Sequence, residues 1–156
     1  MTVNLTEFKK QYNEFMKKYN LPSFKELNEN FEIDKIDRET ECILRIVRKV
    51  MMEKIVNSLG FLEMLINPMN APRIYLSYIK SITNEDKQSI EKIYTDLGEV
   101  SLFSLDLEID YSEKKEAELI KRVFNVWNSL KPEFRRIMEN MKKPGIIEKK
   151  EKSYFG

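Results

Sequence analysis

The stretch that decides the fold is residues 38–67, RETECILRIVRKVMMEKIVNSLGFLEMLIN, which contains no proline. Its apolar residues recur at the 100° spacing of an α-helix. The resulting apolar stripe consists of Ile43, Leu44, Val47, Val50, Met51, Ile55, Leu62, Leu65 and Ile66. One unbroken helix of this length would measure about 45 Å, whereas a compact domain of this mass is about 39 Å across. We therefore expect either an elongated molecule or a helix that bends near Gly60.

The two halves of this predicted helix differ on the side opposite the stripe. In the first half that side is charged, with Glu41, Arg45, Arg48, Lys49 and Glu53. In the second half apolar side chains almost surround the helix, and the additional ones are Met52, Val56, Leu59, Phe61 and Met64. A helix that is apolar on every side is either buried in its own fold or covered by another chain. Burial within the chain is the favoured interpretation, and a dimer interface is the alternative.

The other segments up to residue 143 also show helical patterns. They are a helix from Thr6 to Tyr19, a short helix opened by a Ser23–Glu26 capping box, a short helix after Pro72, a helix opened by a Thr83–Asp86 capping box and ending between residues 98 and 103, and a last helix from Ser112 to Lys143 that is kinked or divided at Pro132. We predict a single all-α domain, residues 1–143, built as a bundle of about five or six helices. The helix of residues 38–67 is expected at its centre, with the helix of Trp127 packed against it.

Residues 103–111 are the segment in which the pattern changes. Apolar residues alternate with polar ones there, which is typical of a half-buried strand. Leu102, Leu105 and Ile109 also share one side of a helix. A lone strand has no partner for its backbone hydrogen bonds, and the run is poor in β-branched residues. A helix or an extended coil is therefore favoured over a strand.

Composition excludes several classes of active site. The chain has no histidine and a single cysteine, Cys42, which removes the usual general base and every Cys/His zinc pattern. It contains no glycine-rich phosphate loop and no nucleophile-elbow motif. We interpret Asp106, Glu108 and Asp110 as a solvated acidic face and Lys54 as a side chain that reaches solvent past the core. We therefore predict no catalytic residue, no cofactor and no metal.

Charge and hydropathy bear on the surroundings and on the partners. With 27 basic and 26 acidic residues the net charge is +1, so the overall field favours neither nucleic acid nor a membrane surface. Neither a signal peptide nor a bilayer-spanning apolar run is found, which predicts a cytoplasmic protein without membrane contacts. Basic residues nevertheless gather in the last predicted helix and in residues 144–156, which we predict to be a flexible lysine-rich tail. The candidate nucleic-acid patch comprises Arg135, Arg136, Lys142, Lys143, Lys149 and Lys150.

The aromatic and methionine content favours one class of function. The 8 Met, 9 Phe and 7 Tyr of the chain give its helices more apolar surface than one small core requires. We therefore predict a non-catalytic helical protein–protein interaction module, acting as a homodimer, an adaptor or a small subunit of a larger assembly. The alternative is a nucleic-acid or ribonucleoprotein associated factor that uses the basic C-terminal helix and the tail. The candidate interface residues are Met52, Val56, Leu59, Met64, Tyr154 and Phe155.

Overall fold

The protein is described by a computed structural model that covers residues 4–36 and 42–143. Within these ranges the regular structure is entirely helical, which confirms the all-α prediction. The helices are α1 (Leu5–Tyr19), α2 (Phe24–Phe31), α3 (Ile43–Ile66), α4 (Arg73–Lys80), α5 (Asn84–Ile109) and α6 (Glu113–Met141). Short 3-10 turns at Ile33–Lys35 and Pro68–Asn70 follow α2 and α3.

Helix α3 is the predicted central helix in a shorter form. It has 24 residues, which corresponds to about 36 Å, and it is continuous through Gly60. Residues 38–41, which were included in the predicted helix, lie outside the described ranges. The length of α3 lies within the expected diameter of a compact domain, whereas α6, with 29 residues, is longer at about 43 Å.

Side-chain caps begin several of the helices. The Ser23–Glu26 and Thr83–Asp86 capping boxes are both present, which confirms the predicted starts of α2 and α5. The predicted start of α1 at Thr6 is wrong. The cap is Asn4, whose side-chain oxygen accepts a hydrogen bond from the backbone N–H of Thr6 at 3.1 Å. Asparagine caps a helix at least as well as threonine does, so the helix begins at the first suitable residue.

Residues 103–109 belong to α5, which runs for 26 residues without interruption. The preference for a helix or an extended coil over a strand is confirmed, with the helix observed, whereas the predicted end of the helix between residues 98 and 103 is wrong. The alternating pattern arises because the residues lie on different sides of one helix. Leu107 is buried, while Leu105 and Ile109 are exposed. Helix α6 is likewise continuous through Pro132.

Helices α3, α5 and α6 form the centre of the bundle. Arg48 of α3 lies beside Glu116 of α6, and Phe61 of α3 lies beside Phe134 of α6. Since both residue numbers increase together, α3 and α6 run in the same direction. Helix α5 runs the opposite way. The side chain of Trp127 packs against Phe134, with the ring centroids 6.4 Å apart, and contacts between α3 and α6 confirm that the helix of Trp127 packs on the central helix.

Candidate interaction surfaces

One side of α5 carries large aliphatic side chains that the rest of the described chain does not cover. Leu102, Leu105 and Ile109 are spaced by three and four residues, which places them on one side of the helix. Their exposed fractions are 68%, 61% and 80%. We call these three residues the α5 face. The opposite side of the same helix lies in the core and carries Ile90, Ile93, Leu97, Val100 and Leu107.

A shallow recess lies beside the α5 face. Its volume is about 270 Å³, and its apolar lining comes from Phe103, Leu107 and Leu119. The guanidinium of Arg122 stacks over the ring of Phe103, 4.3 Å from its centroid. That arginine also forms an ion pair with Glu99 at 2.6 Å. The charged lining residues of the recess are Asp106, Lys115, Glu118 and Arg122. The exposed aliphatic ridge is therefore bordered by an apolar depression with charges of both signs.

A buried ion pair connects the three central helices. Arg48 is 1% exposed and Glu116 is 0% exposed. The Nε and Nη2 atoms of Arg48 donate hydrogen bonds to the two carboxylate oxygens of Glu116, at 2.7 and 3.0 Å. Its Nη1 atom donates to Ser104 Oγ and to Glu108 Oε1, both at 2.8 Å. All three guanidinium nitrogens are therefore bonded to groups of α5 and α6.

This network corrects an interpretation made from the sequence. Arg48 was assigned to the charged outer side of the central helix. The signal for burial was present, because Leu44 and Met52 lie four residues before and after Arg48 and are both buried. A residue flanked in this way points toward the core. Charge alone led to the wrong assignment.

Glu108 extends the network to the surface. It accepts hydrogen bonds from Arg45 and Arg48, which lower the pKa of its carboxyl to about 2. Lys49 lies 3.5 Å from the same carboxylate. Because residues 106–110 form helix or helix end rather than a strand, Asp106 and Asp110 do not share the side of Glu108. Among the residues that the structure describes, no group of three acidic, cysteine or histidine side chains is placed to hold a metal ion.

A second and larger depression lies between α2, α3 and α6, and we call it the Phe31 groove. Its volume is about 730 Å³. The apolar lining residues are Phe31, Ile36, Ile46, Val50, Phe61, Phe134 and Met138. The charged lining residues are Glu32, Lys35, Lys49, Glu53 and Lys54. The groove therefore has an aromatic and aliphatic lining interrupted by charged side chains.

Lys54 lies at this groove and is exposed, which confirms that its side chain reaches solvent past the core. Its ammonium group donates a hydrogen bond to the backbone carbonyl of Asn30. It also lies 5.4 Å from the ring centroid of Trp127 and 5.9 Å from that of Phe31. Cation–π contacts of this length hold the ammonium over the aromatic rings without removing it from water.

The predicted interface on α3 is only partly exposed. Met52 is 6% exposed and belongs to the core, so it is not available at the surface of this chain. Leu59 and Met64 are half-buried, and Val56 is 52% exposed. The other helices therefore cover much of the apolar circumference of α3. The remaining two predicted interface residues, Tyr154 and Phe155, lie outside the described ranges.

The residues of the predicted nucleic-acid patch differ in how their charge is used. Arg136 forms ion pairs with Asp86 at 2.9 Å and with Glu133 at 2.6 Å. Lys142 lies 3.4 Å from Glu139. Arg135 and Lys143 are exposed, and neither forms an ion pair with another described residue. The last two members, Lys149 and Lys150, lie outside the described ranges.

Comparisons with known proteins add no information about the site. No protein-family model, no curated protein and no solved structure matches the chain. None of the helices described here combines the length and the apolar character that crossing a bilayer requires.

Proposed function

We propose that this protein is a non-catalytic helical protein–protein interaction module and that the α5 face binds a helix of a partner protein. The observation that carries the proposal is the exposure of Leu102, Leu105 and Ile109, three large aliphatic side chains on one side of a helix whose other side is already packed. A contiguous apolar patch on a small domain is typical of an interaction site.

The shape of the α5 face suits a helical partner. A ridge of residues spaced by three and four fits between the side-chain ridges of another helix. Covering three such side chains contributes about 1.5–3 kcal/mol for each one that becomes fully buried. The recess beside Phe103 can receive a side chain from the same partner helix. These features together support an adaptor or a small subunit of a larger assembly.

A second copy of this chain is a less favourable occupant of the α5 face. In an antiparallel two-fold pairing, each side of the interface meets the same side of the other copy. Asp106 would then lie near Asp106 of the second molecule, with Asp110 also on that acidic side. Like charges brought together at an interface oppose association.

Substitutions on the α5 face test the proposal. We expect Leu105→Asp and Ile109→Asp to weaken capture of the partner at least about tenfold each, since about 1.4 kcal/mol corresponds to tenfold in affinity. Ile74→Asp is the matched control, because it also places a carboxylate at an exposed aliphatic position, but on α4. Quantitative affinity capture from the source cells, with the three variants compared in parallel, gives the result.

The outcome that contradicts the proposal is equal capture by the wild type and both α5 variants. Sedimentation velocity on the purified wild-type chain tests whether a second copy of the chain binds the α5 face. A dimer that Leu105→Asp dissociates and Ile74→Asp preserves would assign the α5 face to self-association instead of a partner helix.

Nucleic-acid binding has weaker support as an alternative function. Arg136 and Lys142 form ion pairs with carboxylates, so Arg135 and Lys143 are the exposed cations of the patch that form no ion pair with another described residue. Titration of labelled duplex DNA and RNA at several salt concentrations tests it. Binding through phosphates weakens steeply as salt increases, and an affinity independent of salt rejects this alternative.

A further inference from the structure

We propose that residues 144–156 of the same chain bind in the Phe31 groove in an extended conformation. Ile146 and Ile147 would occupy the end of the groove near Met138, and the aromatic pair Tyr154–Phe155 would occupy the end near Ile46. The inference rests on where α6 ends, on the length of the segment and on the apolar lining of the groove. It is independent of the function proposed for the α5 face.

The end of α6 lies at one end of the groove. Phe134 and Met138 of α6 line the groove, and the ring centroid of Phe134 is 6.3 Å from that of Phe61. Because α3 and α6 run in the same direction, Ile46 is at the opposite end. The described chain stops at Lys143, only five positions after Met138. A segment that continues from Lys143 therefore has only a short distance to cover to reach the groove.

The length of the segment matches the length of the groove. The fifteen helical steps from Ile46 to Phe61 correspond to about 22 Å. Pro144–Gly145 is a turn-forming pair, so the chain can reverse its direction directly after α6. The eight steps from Ile147 to Phe155 span about 26 Å when extended. An extended segment therefore places one apolar pair at each end of the groove, whereas a helix would span only about 12 Å between them.

The chemistry of the groove also suits this segment. Several of its apolar lining residues, including Val50, Phe61 and Met138, are only partly buried by the described chain. Ile146, Ile147, Tyr154 and Phe155 are the apolar residues of the segment, and lysines and glutamates separate the two pairs. Glu53 at the groove forms no ion pair with another described residue and can accept one from a lysine of the segment. The charged middle of the segment can thus remain at the open side while its ends cover apolar surface.

A paramagnetic label on the full-length chain tests the proposal. The label is attached to Ser153→Cys in a Cys42→Ser background, and methyl NMR spectra are recorded with the label oxidised and then reduced. We expect the Ile46 and Val50 methyl signals to be lost with the oxidised label and to return on reduction. The Leu105 signals on the α5 face serve as the control and are expected to persist. Unchanged Ile46 and Val50 signals overturn the proposal.

A mixed sample distinguishes binding within one chain from binding between chains. Isotope-labelled protein without the spin label is combined with unlabelled protein that carries it. Loss of the Ile46 and Val50 signals in this sample shows that the segment binds a second copy, and it overturns the intramolecular proposal. Persistence of these signals, together with their loss in the first sample, supports it.

The single tryptophan provides a second measurement. Trp127 is 8% exposed and packs against Phe31 and Phe134, which both line the groove. We expect the double variant Tyr154→Ser/Phe155→Ser to increase acrylamide quenching of Trp127 fluorescence. Tyr75→Ser, which removes an exposed aromatic ring from α4, is the matched control and is expected to leave quenching unchanged. Equal quenching of all three proteins contradicts the proposal.

Discussion

Arg48 and Glu116 show how a charged residue is accommodated in the core of this small domain. Removing a guanidinium and a carboxylate from water is unfavourable, and only close, well-directed hydrogen bonds offset that effect. Arg48 forms four such bonds. These contacts also require a particular relative placement of α3, α5 and α6. The ion pair therefore favours one arrangement of the central helices over others that bury similar apolar area.

Removal of one partner of this pair is expected to destabilise the fold strongly. We expect Glu116→Leu to lower the free energy of unfolding by about 3–5 kcal/mol, because it leaves a buried guanidinium without its main partner. The double variant Arg48→Met/Glu116→Leu should lose less than the single variant, since no buried charge is left unpaired. Glu108 retains Arg45 at 2.9 Å in the double variant. Urea unfolding of the three proteins measures the difference.

The exposed pair of Arg122 and Glu99 supplies the control. Its side chains are 41% and 56% exposed, and pairs of this kind contribute about 0–1 kcal/mol. Glu99→Leu is therefore expected to change stability only slightly. A double variant that is less stable than Glu116→Leu would contradict this account of the buried pair.

Glu108 and Glu133 make the free energy of unfolding depend on pH. Hydrogen bonds from Arg45 and Arg48 lower the pKa of Glu108 to about 2. Hydrogen bonds from Arg136 and, to a smaller extent, from Ser89 lower the pKa of Glu133 to about 2. The ordinary value for both carboxyls is 4.5, so between these values the unfolded chain binds more protons than the folded one. The stabilisation is therefore present above about pH 4.5 and is lost as the pH falls toward about 2.

Thermal unfolding between pH 2 and pH 7 checks this expectation. We expect the midpoint temperature to fall below pH 4.5 in the wild type and to fall less steeply in Glu108→Gln, which lacks the titrating carboxyl. Glu91→Gln, on the exposed surface of α5, should retain the wild-type slope. A wild-type midpoint that is independent of pH across this range would contradict the argument.

At the scale of single elements, α6 continues through Pro132, although proline usually ends or kinks a helix. Pro132 has no N–H, so the carbonyl of Asn128 lacks its usual helical donor, and the proline ring crowds that carbonyl. The helix nevertheless continues, and Trp127 before the proline and Ile137 and Met141 after it are all buried. Burial of apolar side chains on both sides of Pro132 therefore outweighs the local preference to end the helix.

Replacing this proline should stabilise the protein. We expect Pro132→Ala to raise the free energy of unfolding by up to about 3 kcal/mol, because alanine restores the helical donor and has a much higher helix propensity. Ser129→Ala, at a nearby exposed position of the same helix, should gain no more than about 0.5 kcal/mol. Urea unfolding compares the two variants. Equal gains would show that the proline imposes no local penalty.

Local sequence signals predicted element starts better than element ends. The capping boxes at Ser23 and Thr83 fixed two starts because a side chain and a backbone N–H only three residues apart decide them. The end of α5 was misplaced because residues 103–109 alternate in polarity for a reason that is not local. Leu107 packs on the core while Leu105 and Ile109 face outward. When a helix carries apolar residues on two sides, polar and apolar residues can alternate along its sequence. This alternation is the same pattern that a half-buried strand shows.

For the whole molecule, the sequence predicted the bundle but not the position of its uncovered surface. Surplus apolar area was expected on the central helix, yet Met52 of α3 is buried. The exposed aliphatic residues that share one side of a helix are instead those of the α5 face. Which of two apolar sides a helix turns inward depends on the neighbours that it meets in the fold. Arg48 was assigned to the surface because its charge was given more weight than the buried neighbours Leu44 and Met52, and its pairing with Glu116 was missed because the two residues lie 68 positions apart.

The parallel placement of α3 and α6 also has a consequence for biosynthesis. Arg48 and the carboxylate that neutralises it are separated by 68 positions, and the chain leaves the ribosome from its N-terminus. Before α6 has been synthesised, Arg48 can pair with Glu108 of α5 but lacks Glu116, its fully buried partner. The three central helices can therefore adopt their final arrangement only after Glu116 has left the ribosome, and a product truncated before position 116 would lack the carboxylate that binds Arg48 Nε and Nη2.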